Sequence, residues 1–384
     1  MQLELSEEDR AFRQEMRDFF TTQVPEEIRA TVREGRELTK DQLVESMRVL
    51  NAAGLAVPHW PEEYGGRAWS ELQRHLWFEE MQRAGVPTPL AFNASMIGPV
   101  LAQFGSEEQK RKFLPKTANL DIWWAQGFSE PDAGSDLASL RTSAVRDGDD
   151  WVVNGQKTWT TLGQHADWIF TLVRTDPEAK KQAGISMLLI DMTTPGVEVR
   201  PIQLIDGGHE VNEVWFDDVR VPGGNLVGEL NGGWTIAKFL LGNERVGVAP
   251  VGATKQSLAH AKELAADVIA EDPLLRARIA ELENDLLALE LTALRVAAHS
   301  AGGEPHPASS VLKLRGSVLQ QAVSELVVDL AGPGSLGSGA GDDSDLEGWA
   351  RRATPTYLNL RKASIYGGSN EVQRQIISRT ILGL

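Results

Sequence analysis

One stretch, residues 126–161 (QGFSEPDAGSDLASLRTSAVRDGDDWVVNGQKTWTT), constrains the function of this chain more than any other. The apolar run at residues 122–128 leads into a loop of small residues and carboxylates, and two hairpin-like signals, Asp147-Gly148 and Asn154-Gly155, predict returning strands. The stretch ends on Trp159 and two hydroxyls. Small residues, backbone N–H groups and hydroxyls beside a Trp suit a planar cofactor with polar edges. An ordinary β-rich segment with tight turns is the alternative interpretation.

The composition excludes several classes of function. The formal net charge of −16 gives no electrostatic support for binding nucleic acid or an anionic membrane. The chain has no Cys, which excludes disulfides and thiolate metal sites, and we predict no metal site. The acidic N-terminus lacks an apolar core, and no apolar run approaches the roughly 20 residues that span a bilayer. A soluble cytoplasmic protein is expected.

The pattern of hydrophobic residues changes twice along the chain. Residues 1–120 read as amphipathic helices, with Ser6 as the predicted N-cap of the first. Residues 121–230 contain short β-branched or aromatic runs bounded by Gly, Pro and Asp, which predict a compact sheet. Residues 231–384 return to helices, and residues 277–298 have the Leu- and Ala-rich pattern of a bundle. The predicted strands are 151–153, 168–173, 185–190, 197–202 and 211–216.

Four ordered motifs resemble signatures of the acyl-CoA dehydrogenase family. They are F-S-E-P-D-A-G-S-D at 128–136, N-G-x-K-x-W-x-T at 154–161, W-P-E-E-Y-G-G at 60–66 and Y-G-G-S-N-E-V-Q-R at 366–374. The resemblance covers nearly the whole chain. It implies an α+β fold with an N-terminal helical domain (1–120), a middle β-sheet, barrel-like domain (121–230) and a C-terminal four-helix bundle (231–384).

The resemblance also implies an FAD site and a thioester site. In the family, residues at the positions of Trp159 and Thr161 cover the flavin ring and bind near its N5, and those at Phe128 and Ser129 contact its pyrimidine side. Ser135 matches a position near the pantetheine and phosphate of the thioester ligand. A lone Trp would be read as a core residue, since the chain has 11. Within the complete motif, the flavin role is favoured.

The predicted catalytic base is displaced from its commonest position. Many family members have a Glu after the Tyr of the C-terminal motif, but here Gly367 follows Tyr366. A smaller group that acts on branched or bulky acyl chains takes its base from a Glu that precedes an Arg, and this chain has Glu244-Arg245 in an otherwise apolar run. Burying such charges is costly unless they are paired or functional. We therefore predict Glu244 as the base; a structural ion pair is the alternative.

The remaining predicted contacts surround the thioester. The backbone N–H of Gly367, with a flavin ribityl hydroxyl, is expected to polarise the thioester carbonyl. Arg245 and Tyr366 are predicted to contact the substrate. Gly367 leaves volume that permits a bulky acyl group such as a steroid side chain. The sequence fits acyl-CoA and acyl carrier protein substrates equally.

Two motifs that cross the dimer in homotetrameric relatives are missing. Neither R-x-x-F-G nor Q-x-x-G-G occurs: there is no Phe after Phe239, and the second region reads D-L-A-G-P-G at 329–334. The chain thus resembles the catalytic subunit of bacterial α2β2 dehydrogenases of steroid side-chain breakdown, whose second subunit completes the flavin site. We expect such a homologous partner, with a homotetramer as the alternative, and an electron-transfer flavoprotein or similar acceptor. Two other functions stay open: a flavin monooxygenase or oxidase of the same fold, and a non-catalytic subunit.

Overall fold

The computed structural model describes residues 5–243, 251–299, 307–336 and 348–384. Contacts divide the chain into two compact units. The first, here the helical unit, comprises Met1–Gln42, Trp69–Thr88 and Arg245–Leu384. The second, here the sheet unit, comprises Leu43–Ala68 and Pro89–Glu244.

Thirteen α-helices lie in the described ranges. In chain order they are α1 Glu7–Gln23, α2 Glu26–Arg33, α3 Lys40–Ala52, α4 Glu71–Arg83, α5 Gly98–Phe104, α6 Glu107–Ala118, α7 Gly233–Asn243, α8 Val251–Leu264, α9 Ala266–Glu271, α10 Pro273–His299, α11 Ser309–Ala331, α12 Gly348–Asn359 and α13 Asn370–Ile377. None of these helices is long and apolar enough to cross a membrane.

Local sequence signals explain where several helices begin. Ser6 caps α1 as predicted, because its side chain accepts a hydrogen bond from the backbone N–H of Asp9. Ser70 and Ser106 form capping boxes with Gln73 and Gln109 at the starts of α4 and α6. Each box satisfies two backbone donors that a helix start otherwise leaves unpaired.

The core of the helical unit is built from α8, α10 and α11. Apolar side chains that recur at helical spacing on these three helices pack into one buried cluster, which includes Leu258, Leu286 and Leu326. The leucine-rich pattern predicted for residues 277–298 lies within α10.

The sheet unit contains one eight-stranded mixed sheet. Its strands are β1 Trp124–Gly127, β2 Ser143–Asp147, β3 Asp150–Thr161, β4 Trp168–Arg174, β5 Ile185–Asp191, β6 Val197–Ile202, β7 Val211–Pro222 and β8 Leu226–Val227. They lie in the order β6-β7-β3-β2-β4-β5-β8, with β1 added in parallel to β4. All five predicted strands lie inside observed ones. Trp151, Ile169, Leu188, Val214 and Val219 are among the buried side chains that form the core of the sheet.

Of the two predicted hairpins, one is confirmed and one is wrong. Asp147 pairs with Asp150, so Gly148, at φ 62°, turns the chain between β2 and β3. Asn154-Gly155 lies inside β3 instead, opposite a bulge in β7. The Asn154 side-chain amide contacts this bulge through two 2.9 Å hydrogen bonds: it donates to the Asp218 carboxylate and accepts from the Asp218 backbone N–H. Gly155 is required for a different reason: an added Cβ would lie 2.6 Å from Oγ1 of Thr142.

The W-P-E-E-Y-G-G motif has a structural role in the sheet unit. Trp60 is buried, and its indole N–H donates to the Ala94 carbonyl oxygen at 2.6 Å. A Cβ on Gly66 would lie 1.6 Å from the Trp60 carbonyl oxygen, and one on Gly98 would lie 1.8 Å from the Trp60 ring. Trp60 therefore packs closely against the backbone at Gly66 and Gly98, where any side chain would clash with it.

Candidate functional site

The end of β1 brings the first predicted site residues next to β3. Phe128 follows β1 directly, is buried, and packs edge-on against Phe170 at 5.9 Å between ring centroids. Ser129 is half-buried, and its carbonyl oxygen accepts from the Thr158 N–H at 2.9 Å. The two motifs at 128–136 and 154–161 are thus in direct contact within the sheet unit.

A buried ion pair fastens this contact. The Lys157 ammonium is fully buried and lies 2.7 Å from Oε1 of Glu130, which is itself 7% exposed. Lys157 also donates to the Phe128 carbonyl oxygen at 3.2 Å. The Glu130 carboxylate accepts two further hydrogen bonds, from the Arg141 N–H at 2.6 Å and the Thr142 N–H at 2.9 Å. One buried carboxylate therefore joins β3, the end of β1 and the start of β2.

The pair is charged at neutral pH. Burial lowers the pKa of Lys157 to about 8, against the opposing influence of Glu130. Burial by itself would raise the pKa of Glu130, but Lys157 and the backbone donors outweigh it and hold that pKa below its usual value. Sequence reasoning quoted both residues inside their motifs without assigning them a role. Neither residue lies in a predicted strand; the available signal was that each charge is close to apolar or aromatic residues, Glu130 after the apolar run 122–128 and Lys157 beside Trp159.

Trp159 is held in an unusual conformation at the end of β3. Between the pairs Lys157–Val214 and Thr160–Asn212, β3 carries one more residue than β7, which is a β-bulge. Trp159 has φ 59°, a left-handed conformation that is rare for a bulky residue, and its side chain is 58% exposed. Strain of this kind concentrates at functional sites. The bulge turns a large flat ring out of a sheet that buries most of its other aromatic residues.

Thr161 and Ser135, the other predicted site residues of the sheet unit, lie at the end of β3 and in the loop after β1. Thr161 is half-buried and pairs with Val211 of β7. Ser135 is exposed in the loop after β1, where the neighbouring Asp136 carboxylate binds the Lys181 ammonium at 3.0 Å. Ser135 and Gly134 leave a smooth, polar loop surface, and a Cβ on Gly134 would meet nothing within 4 Å.

The predicted carbonyl-polarising residues lie on a loop of the helical unit. Tyr366 is 50% exposed, and Gly367 and Gly368 have φ values of 62° and 83°. Ser369 caps α13 immediately afterwards, with its hydroxyl accepting from the Val372 N–H at 3.3 Å. Two consecutive left-handed residues turn the backbone sharply, which glycine allows without a Cβ penalty. Glu244 and Arg245 lie outside the described residues.

The residues around Trp159 fit a flavin ring by their chemistry. The strained bulge exposes the Trp159 side chain, Ser129 and Thr161 are half-buried, and the buried Glu130–Lys157 pair fastens β3 to the end of β1. An apolar plane with a few fixed polar groups is what a planar heteroaromatic ligand requires. Among the described residues, no cluster of His, Asp and Glu is suited to a metal ion.

Fold and site together define an acyl-CoA dehydrogenase. Three family models match consecutive parts of the chain: the acyl-CoA dehydrogenase N-terminal domain at residues 6–121, the middle domain at 125–219 and the C-terminal domain at 231–382. The chain therefore belongs to the acyl-CoA dehydrogenase family and is an oxidoreductase. The predicted fold class is confirmed, whereas the domain limits 1–120, 121–230 and 231–384 stay a prediction.

The chain is similar to several acyl-CoA dehydrogenases, one of which is a steroid acyl-CoA dehydrogenase. The chain is 40% identical over 343 residues to acyl-CoA dehydrogenase IpdE1 of Mycobacterium tuberculosis, covering 87% of this chain and 86% of that protein. It is similar in structure to the ChsE4-ChsE5 complex from M. tuberculosis (TM-score 0.85, 33% identity, 100% and 99% of the two chains covered). It also resembles the Tcur3481-Tcur3483 steroid acyl-CoA dehydrogenase (TM-score 0.88, 32% identity, 100% and 99% covered).

Proposed function

We propose that this chain is the catalytic subunit of an FAD-dependent dehydrogenase that converts a bulky or branched acyl-CoA, such as the thioester of a steroid side chain, to its α,β-enoyl form. The observation that carries the proposal is the strained, exposed Trp159 at a bulge whose backbone is fastened by the buried Glu130–Lys157 pair. A core aromatic would have no need of this conformation. The similarity to the Tcur3481-Tcur3483 steroid acyl-CoA dehydrogenase supports the substrate class.

The chain's own residues are assigned as follows. Trp159 and Thr161 cover and orient the ring, and Phe128 and Ser129 border its pyrimidine side. When bound, FAD supplies the acceptor for the hydride that leaves the β-carbon. Ser135, Arg245 and Tyr366 contact the thioester ligand.

Proton transfer and charge stabilisation are assigned to the two positions that depart from the commonest family pattern. Glu244 accepts the α-proton at its carboxylate. The Gly367 N–H donates to the thioester carbonyl oxygen, where negative charge develops as the proton leaves. Gly367 also leaves space that a Glu would fill, which favours a bulky acyl group.

Anaerobic flavin reduction tests the dehydrogenation. The purified holoprotein is mixed with the CoA thioester of a steroid bearing a carboxylated side chain, and with octanoyl-CoA, while flavin absorbance is followed. We expect bleaching by the steroid thioester and much slower bleaching by octanoyl-CoA. Glu244→Gln should keep flavin and ligand binding but reduce flavin roughly 10²–10⁴-fold more slowly. Glu263→Gln, an exposed substitution on α8, is the matched control and should behave as wild type. Near-normal bleaching by Glu244→Gln would remove Glu244 from the mechanism.

Turnover in air distinguishes dehydrogenation from the oxidase or monooxygenase alternative. A dehydrogenase should pass electrons to an electron-transfer flavoprotein and consume little oxygen. Stoichiometric oxygen consumption with unchanged activity in Glu244→Gln would instead favour the alternative.

We further propose that a homologous second subunit completes the FAD site in an α2β2 assembly. The missing cross-dimer motifs leave the pyrophosphate without charge-assisted hydrogen bonds of roughly 1.5–3 kcal/mol each, so another chain should supply them. The similarity to the ChsE4-ChsE5 complex supports a heteromer. Expressed alone, the chain should be poor in FAD, and co-expression with the partner should give two FAD per tetramer. A soluble homotetramer with one tightly bound FAD per chain would rule the partner out.

A further inference from the structure

A stripe of polar side chains on α11 underlies the loop that carries Tyr366 and Gly367. Lys313, Ser317, Gln321 and Ser324 recur at helical spacing and are buried or half-buried. A polar stripe of this kind is normally a solvated face. Here all four side chains are turned into the helical unit, where they contact the segment 360–370, which runs from the end of α12 to the first residue of α13.

Each member of the stripe holds part of that segment. The Lys313 ammonium donates to the Ala363 carbonyl oxygen at 2.6 Å. Gln321 donates to the carbonyl oxygens of Leu360 and Arg361, both at 3.1 Å. On the far side of the loop, the Ser317 hydroxyl donates to Oδ1 of Asn370 at 3.0 Å.

The loop between these anchors is exposed but has fixed ends. Ile365 and Tyr366 are 67% and 50% exposed, and the two left-handed glycines follow. Because Lys313 holds the Ala363 carbonyl oxygen and Ser317 holds the Asn370 side chain, the direction of the Gly367 N–H depends on these two contacts.

Lys313 differs from the other members because it is a buried cation. It is 2% exposed, and its ammonium lies 5.7 Å from the centre of the Tyr366 ring. Its positive charge also reaches the next helix, since it helps to lower the pKa of Glu371, after stronger local hydrogen bonds. A fixed cation stabilises negative charge that develops nearby.

We propose that Lys313 is a positioning residue for the dehydrogenation: it fixes the loop that presents the Gly367 N–H, and its charge favours the enolate form of a thioester bound there. This inference rests on the proposed function. In this inference, the Gly367 N–H and the buried Lys313 ammonium together stabilise the thioester carbonyl oxygen.

The test uses acetoacetyl-CoA, a 3-oxoacyl thioester that ionises to an enolate without being dehydrogenated. Its apparent pKa when bound to the holoprotein is read from the ultraviolet absorbance of the enolate across a pH series. In wild type this pKa should fall below its value in free solution. Lys313→Met should raise it by about one, a roughly tenfold loss of enolate stabilisation. Lys313→Arg should restore most of the effect.

Gln321→Leu is the matched control, because it removes two neutral hydrogen bonds to the same segment. It should lower the melting temperature and leave the pKa of bound acetoacetyl-CoA near the wild-type value. If Lys313→Met is insoluble, Lys313→Gln, which keeps a donor and removes the charge, gives the same comparison. Equal pKa values for the Lys313 variants and Gln321→Leu would overturn the inference while leaving the proposed function intact. A wild-type protein that does not lower the pKa of the bound probe would overturn both.

Discussion

The buried Glu130–Lys157 pair predicts a specific hierarchy of stability effects. Its ammonium and carboxylate are 0% and 7% exposed and 2.7 Å apart. Replacing Lys157 by Met leaves a buried carboxylate with only its two backbone donors, and removing one partner of such a pair costs about 3–5 kcal/mol. For a cooperative unit of this size, that corresponds to a fall in melting temperature of about 2–4 °C per kcal/mol.

The same loop provides the control for this prediction. Lys181 pairs with Asp136 at 3.0 Å, but the two side chains are 60% and 65% exposed. Lys181→Met should therefore change the free energy of unfolding by no more than about 1 kcal/mol. Both variants remove one Lys from one ion pair, so their difference isolates burial.

Urea denaturation and thermal melting, with FAD content measured on the same samples, provide the assay. We expect Lys157→Met to lose both stability and flavin. Glu130→Gln should cost less in stability than Lys157→Met, because an unpaired buried ammonium can lose its proton. In a double-mutant cycle, the two substitutions should couple by roughly 0.5–3 kcal/mol. A Lys157→Met protein as stable as Lys181→Met would show that the pair does not fasten the two motifs.

Three further predictions follow from single residues of the sheet unit. Trp159→Gly should relieve the strain of the φ 59° conformation, so the stability of the flavin-free protein should stay the same or rise by up to about 1 kcal/mol. The variant should no longer retain flavin. A large loss of stability would instead mark Trp159 as a core residue. Gly155 has φ 146°, and an added Cβ would lie 2.6 Å from Thr142, whereas Gly148 has φ 62° and open space around it. Gly155→Ala should therefore destabilise the folded protein by well over the ~1 kcal/mol expected for the control Gly148→Ala. Comparable melting temperatures for the two variants would contradict the close approach. The pKa of Lys157 is about 8 in the folded protein and 10.5 in the unfolded chain, so the folded state binds fewer protons between these two pH values. The free energy of unfolding of wild type should therefore rise by about 3 kcal/mol from pH 8 to 10.5 relative to that of Lys157→Met. Parallel curves of stability against pH for the two proteins would refute this.

Much of the fold could be predicted because local patterns agree with tertiary structure. Ser6 caps the first helix, and all five predicted strands lie inside real ones. The error at Asn154-Gly155 has a clear physical cause. The dipeptide is typical of tight hairpins, but the same backbone freedom is used here for a close approach to Thr142 opposite a bulge in β7. Sequence alone does not distinguish a glycine that forms a turn from a glycine that allows a neighbouring strand segment to approach closely.

The candidate site could be proposed from its motifs, but the contacts that support those motifs could not. Trp159 was identified from its place in a motif, yet its positive φ depends on the extra residue of β3 relative to β7, which is a property of strand pairing. Glu130 and Lys157 are 27 residues apart, so no local pattern reveals that they share a buried hydrogen bond.

The α11 stripe shows the same limit more strongly. Polar residues at i, i+4 and i+8 of a helix indicate a solvated face, and a buried polar stripe has the same periodicity. What differs is the partner: the carbonyl oxygens of Leu360, Arg361 and Ala363 and the Asn370 side chain lie far along the chain from α11. An exposed loop with two left-handed glycines gains a defined conformation only from such distant anchors. In the proposed mechanism the base does not stand at the Gly367 position. The backbone N–H of that residue would then act on the thioester carbonyl without help from an adjacent side chain, so a defined loop conformation matters more.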